Sequence, residues 1–144
     1  MALRRAPVSN ATALADMLDA ALADDWTADQ PSLAVLSWRG PGDDDLELAV
    51  KQIERHPAEE LKVFGPDHEC LAVCLSRLEP PAARGTRSAR AGAPGPVRVT
   101  VAFDEFDEVT IVRHRNGRTE RPAVTDGPTA DLLRETLVQV RFHN

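Results

Sequence analysis

Residues 109–124 read VTIVRHRNGRTERPAV, and this stretch decides how the rest of the chain is read. Val109 and Ile111 alternate with polar positions, and Asn116-Gly117 suits a two-residue turn that needs positive φ at both central positions. The spacing predicts an antiparallel hairpin with strands near 109–115 and 118–124. In that register Arg115 faces Arg118, His114 faces Thr119, Arg113 faces Glu120 and Val112 faces Arg121. Arg113, Arg115 and Arg118 then share a face with Ile111, while His114 and Arg121 point to the other side. Like charges directly opposite on neighbouring strands are unfavourable unless an anion sits between them, so Arg115 beside Arg118 points toward an anionic contact. Long charged side chains also stay in water while covering sheet surface, and the same arginines fit that plainer role. The candidate binding residues are Arg113, His114, Arg115, Arg118 and Arg121.

Working outward from the hairpin, Val97, Val99, Val101 and Phe103 alternate with Arg98, Thr100 and Ala102, which predicts a half-buried strand over 97–103. The carboxylates of Asp104, Glu105, Asp107 and Glu108 turn it into the hairpin, as short acceptors do in turns. Downstream, Asp126-Gly127-Pro128-Thr129 precedes a helix over 129–141 with Leu133, Leu137 and Val140 on one face. Upstream, residues 80–96 read PPAARGTRSARAGAPGP, a Pro/Gly/Ala/Arg segment without apolar anchors. Such composition cannot bury enough surface to offset its ordering entropy, so a mobile loop is expected there. Its arginines Arg84, Arg87 and Arg90 carry no interleaved aromatic side chains for base stacking.

Residues 69–78 fit either period: Leu71, Val73 and Leu75 alternate, whereas Leu71, Cys74, Leu75 and Leu78 make a helical stripe. The strand is preferred because strands follow it. A short strand over 61–64, turned by Gly65-Pro66-Asp67, is expected before it. Residues 46–55 are equally two-sided. Leu46, Leu48 and Val50 alternate, but Leu46, Ala49, Val50 and Ile53 form a helical face among good helix formers, with Glu47 and Lys51 placed to pair, so a helix is favoured. Residues 33–38, LAVLSW, read as a buried strand. Leu14, Met17, Leu18, Ala21 and Leu22 recur at helical spacing within 10–25, with Ser9 or Asn10 as cap. The fold expected is α+β: one domain over 1–144, with an antiparallel meander sheet and the terminal helices covering one face.

Composition bounds what this domain does. At 144 residues, with 42% hydrophobic and 28% charged residues, the chain can bury an independent core, and a 4% aromatic content without Tyr makes that core aliphatic. Lys51 and Lys62 are the lysines among 17 basic residues, so the rest are arginines, which with abundant Ala, Gly, Pro and Asp points to a GC-rich, bacterial source. A net charge of -6 disfavours non-specific nucleic-acid binding by the whole molecule. There is no apolar run of about 20 residues to span a membrane. Arg4 and Arg5 are not followed by a secretory apolar segment, so a cytoplasmic protein with reduced thiols is expected.

The chemistry-bearing residues are scattered. His68, Cys70 and Cys74 invite a metal reading, but Cys70 and Cys74 on a strand lie about 13 Å apart and His56, His114 and His143 supply no second pair. Buried structural cysteines, with no metal and no cofactor, are expected instead. The acidic runs at 43–45 and 104–108 lack the calcium-loop spacing. Nucleophile-elbow, phosphate-loop, dinucleotide and metalloprotease motifs are missing. The expectation is therefore a non-catalytic protein-interaction module, in the manner of an adaptor, small chaperone, immunity-type inhibitor or regulator. Its partner is another protein, and a homodimer is compatible. Anion or nucleic-acid binding through 113–121 and 84–90 is the alternative. A small enzyme using His114 or His68 with a carboxylate is the third reading.

Overall fold

The computed structural model describes residues 9–27, 30–38, 46–61, 69–80 and 96–137. The elements run α1 (Asn10–Ala21), β1 (Ser32–Trp38), β2 (Leu46–Gln52), α2 (Pro57–Leu61), β3 (Glu69–Glu79), β4 (Val97–Asp104), β5 (Glu108–Arg113), β6 (Thr119–Glu120) and α3 (Pro128–Leu137). The expected loop over 80–96, the leader, the acidic run 43–45, His68 and the linker arginines lie almost wholly outside the described residues, as do 138–141 of the last helix. No described helix is long and apolar enough to cross a membrane.

All six strands form one antiparallel sheet in the order β2-β1-β3-β4-β5-β6. From β1 through β3 to β6 this is the expected α+β meander. The addition is β2, which hairpins back from β1 and extends the sheet outward. Residues 46–55 thus contain a strand, not a helix, and Glu47 and Lys51 sit on one face of it rather than one helical turn apart. Pairing along the whole of β1 overrides the helix-forming composition, because strand preference is set by fit to neighbours more than by intrinsic tendency. Leu61 closes α2 where the start of a short strand over 61–64 is expected, and 62–64 lie outside the described residues.

The two terminal helices cover opposite faces of the sheet, not the same one. On one face, Ala11, Leu14, Ala15 and Leu18 of α1 pack on Ala34, Ala72, Cys74, Ala102 and Ile111. On the other, Ala130 and Leu133 of α3 pack on Val73, Leu75, Val97, Val99, Val101 and Phe103. β4 is consequently buried on both sides along nearly its whole length, where alternation predicted a half-buried strand. Its polar positions Arg98 and Thr100 are buried beneath α1, not solvated. The α1 face of the sheet carries Ala34, Ala72 and Ala102, whereas the α3 face carries the larger Val and Phe side chains.

A bulge fixes the fate of the cysteines. Leu36 of β1 pairs Ala72 and Ser37 pairs Cys70, so Leu71 is the extra residue and the side-chain alternation of β3 shifts by one there. Cys70 joins the α3 face and Cys74 the α1 face. Both are buried and free. Burial pushes the Cys70 thiol up to about 12 and the Cys74 thiol further, the latter with Asp19 adding to the effect.

Local capping residues set the ends of α1 and the turn beyond β4. Ser9 Oγ accepts from Thr12 N–H, the expected N-cap bond. Asp104 Oδ2 accepts from Ala11 N–H at 2.8 Å, while Asp104 Oδ1 accepts from Phe106 N–H and Asp107 N–H at 2.7 Å each. One carboxylate therefore closes the β4–β5 turn and satisfies a free amide at the start of α1.

Candidate functional site

The hairpin reverses direction at Asn116-Gly117, with a different turn from the one the sequence suggests. His114 N–H donates to Arg118 C=O at 2.7 Å and Gly117 N–H donates to His114 C=O at 2.9 Å. Only glycines have positive φ among the described residues, Gly117 at 95°, so Arg115, Asn116 and Gly117 form a three-residue loop. Asn116 Oδ1 braces it by accepting from Arg118 N–H. The register consequently moves by one: Arg113 pairs Thr119 and Val112 pairs Glu120. β6 is limited to Thr119–Glu120, shorter than the strand expected over 118–124.

That shift rearranges the cationic tip. His114 is 1% exposed and its Nε2 lies 2.7 Å from Glu120 Oε2. Arg118 reaches Glu120 Oε1 at 3.2 Å. Arg113 turns to α1, where Nε and Nη2 donate to the two oxygens of Asp19 at 3.1 and 2.8 Å, which raises its pKa further. Arg121 is ion-paired with Asp16 of the same helix. Four of the five residues singled out from the sequence are thus engaged with carboxylates, and Arg115, at the solvent-facing loop, is the exception among them. The expected Arg115–Arg118 cross-strand pair does not form, because both belong to or flank the loop. The structure brings His114 together with one carboxylate, Glu120, and does not describe His68.

Beneath α1 lies a second charged group that the sequence did not announce. Arg98 pairs directly with Arg113 across β4 and β5. It is 2% exposed, donating from Nη1 to Ser76 Oγ at 3.1 Å and from Nη2 to the Asp25 carbonyl at 2.6 Å. Ser76 Oγ and Thr100 Oγ1 complete the network at 2.8 Å. Burial lowers the Arg98 pKa, opposed by Asp25 and Asp19. Every strong donor here is directed inward, so the network ties the chain after α1 to the sheet. On the opposite face, Glu79 accepts from Thr129 N–H at the start of α3, and Arg77 Nε donates to Thr129 Oγ1 at 2.8 Å. These buried ions are structural ties between layers. Among the described residues no group of three or more His, Cys, Asp or Glu side chains is placed to hold a metal ion.

The surface that sequence reading missed is β2. Among the described residues it is the terminal strand of the sheet and seven residues long, whereas the opposite terminal strand, β6, has two. Leu48 and Val50 pair Leu36 and Ala34 of β1 and so lie on the α1 face. α1, however, lies over β3, β4 and β5 and touches β1 at its margin. Leu48 and Val50 remain 49% and 48% exposed as a result. The signal for this was the alternation of Leu46, Leu48 and Val50, which the helical reading set aside. A scan against protein-family models and searches of curated proteins and of solved structures each return no match to this chain.

Proposed function

We propose that this protein is a non-catalytic protein-interaction module whose binding surface is the outer edge of β2 with the adjoining apolar side chains Leu36, Leu48 and Val50. The observation that carries this reading is the coincidence of an edge strand seven residues long with two half-exposed aliphatic side chains beside it. Edge strands offer rows of unpaired backbone donors and acceptors, and folded proteins ordinarily shorten, charge or cover them. An edge left long and flanked by aliphatic side chains is suited to strand addition, in which main-chain bonds supply affinity and alternate side chains supply selectivity. Arg113 and His114 turn inward to Asp19 and Glu120, and Arg121 is paired with Asp16 at the surface, which weighs against an anion or nucleic-acid site at the hairpin.

The test compares the wild-type protein with the Leu48→Lys/Val50→Lys variant in capture from native lysate at low and high salt. The reading expects bound protein that survives high salt and is lost in the variant. Binding that is unchanged in the variant but abolished by salt and by Arg115→Ala/Arg118→Ala would overturn it in favour of an anion site.

A further inference from the structure

We infer that the occupant of the β2 edge is a second copy of this chain, paired antiparallel about a two-fold axis through Ala49 and perpendicular to the sheet; the inference rests on the reading of β2 as the interaction surface. Ile53 N–H donates to the Pro31 carbonyl at 2.9 Å, which makes 31 and 53 a hydrogen-bonded pair and fixes the phase of the β1–β2 ladder. By alternation, the backbone groups of Ala49 and Lys51 face β1, and those of Leu48, Val50 and Gln52 face outward.

Three independent requirements are met in one register. An axis through Ala49, the middle residue of Leu46–Gln52, pairs all seven residues with their counterparts. In that register Leu48 and Val50 exchange both backbone bonds with Val50 and Leu48 of the second copy, using the outward-facing groups. The same alignment sets Glu47 opposite Lys51 of the second copy, twice by symmetry, on the face away from Leu48 and Val50. Moving the axis to Leu48 or Val50 leaves residues unpaired at one end and separates Glu47 from Lys51. Lys51 Nζ is already held 2.5 Å from Glu60 on that face, so its charge is positioned where the second carboxylate arrives. The result is a single continuous sheet through both copies, with Leu48 and Val50 of each forming an aliphatic row between the two α1 helices. Opposite charges at facing positions favour this register and like charges oppose it.

Sedimentation equilibrium of the full chain over a concentration series tests this. The wild type is expected to move toward twice its 15.7 kDa mass as concentration rises. Glu47→Lys sets a second cation against Lys51 at both symmetric positions and is expected to weaken association about ten-fold. Val50→Pro removes an outward N–H while sparing the β1–β2 ladder, and is expected to give a folded monomer by circular dichroism. A wild type that stays monomeric throughout, or a dimer indifferent to both Glu47→Lys and Val50→Pro, overturns the inference. A monomeric wild type whose lysate capture is still lost with Leu48→Lys/Val50→Lys removes the second copy as occupant and leaves the interaction surface standing.

Discussion

Arg98 and Arg113 stand directly opposite each other on β4 and β5, and the carboxylate of Asp19 from α1 acts on both. Two facing guanidiniums under a helix are tolerable because Asp19 and the Asp25 carbonyl sit above them. Removing one partner of a buried ion pair leaves an uncompensated charge, which costs more than the pair contributes. Asp19→Ala is therefore expected to destabilise the fold by about 3 kcal/mol, measured by urea unfolding. Asp19→Leu combined with Arg113→Met should be closer to wild type than either single change. Additive losses in that cycle would show that the two side chains are not coupled.

Asp104 performs two tasks that separate chemically. Asp104→Asn can keep an oxygen toward Phe106 and Asp107, but its amide faces Ala11 N–H with a donor. Asp104→Ala loses all three bonds. The Asn variant is expected to cost about 1 kcal/mol and the Ala variant about 2 kcal/mol in thermal unfolding, the scale of capping losses. Equal losses would mean that the two bonds to Phe106 and Asp107 contribute nothing.

Glu60 gives the fold an acid-sensitive contact. Hydrogen bonding to Lys51, opposed by burial and supported by Arg55, holds its carboxyl below the ordinary 4.5. A lowered folded-state pKa stabilises the native form above the unfolded value, so the contribution is complete above about pH 5 and fades as pH falls through the lowered folded value. Glu60→Gln is expected to lower stability at pH 7, by an amount that shrinks as pH falls below the ordinary 4.5. A pH–stability profile parallel to wild type would contradict this.

The thiols are expected to be inert while the chain is folded. With Cys70 at about 12 against an ordinary 9.0, its thiolate fraction at pH 8 is about a thousand-fold lower than that of a free cysteine, and Cys74 is lower still. Ellman's reagent should titrate neither cysteine at pH 8 in native buffer and both in guanidinium. Rapid native reaction of one equivalent would mean that one sheet face opens readily.

The sequence made some of this legible, in proportion to how local the deciding physics is. Val97, Val99, Val101 and Phe103 mark β4 by simple alternation, and Ser9 with the Ala11-Leu14-Ala15-Leu18 stripe marks α1. Leu46–Gln52 was not legible, because period two and period 3.6 both fit the same apolar residues and the β1 partner decides between them. Asn116-Gly117 was read as a reversal but not as a three-residue loop. That difference of one residue exchanges which face each side chain meets and pairs His114 with Glu120. The burial of Arg98 was invisible because it requires knowing that α1 and α3 lie on opposite faces. The β2 edge was hidden by the same ambiguity that hid the strand.

The anchoring of α1 has a consequence for how the molecule assembles. Its polar ties reach from Ala11 to Asp104 and from Asp19 to Arg113, spans of 93 and 94 residues. Such distant partners raise contact order and slow folding relative to helical bundles. During synthesis α1 emerges ahead of the whole sheet, yet β4 and β5 must leave the ribosome before the face it docks on is complete. A helix made early is therefore among the last elements to find its seat, and until then the alanine-lined face of the nascent sheet is open to chaperones.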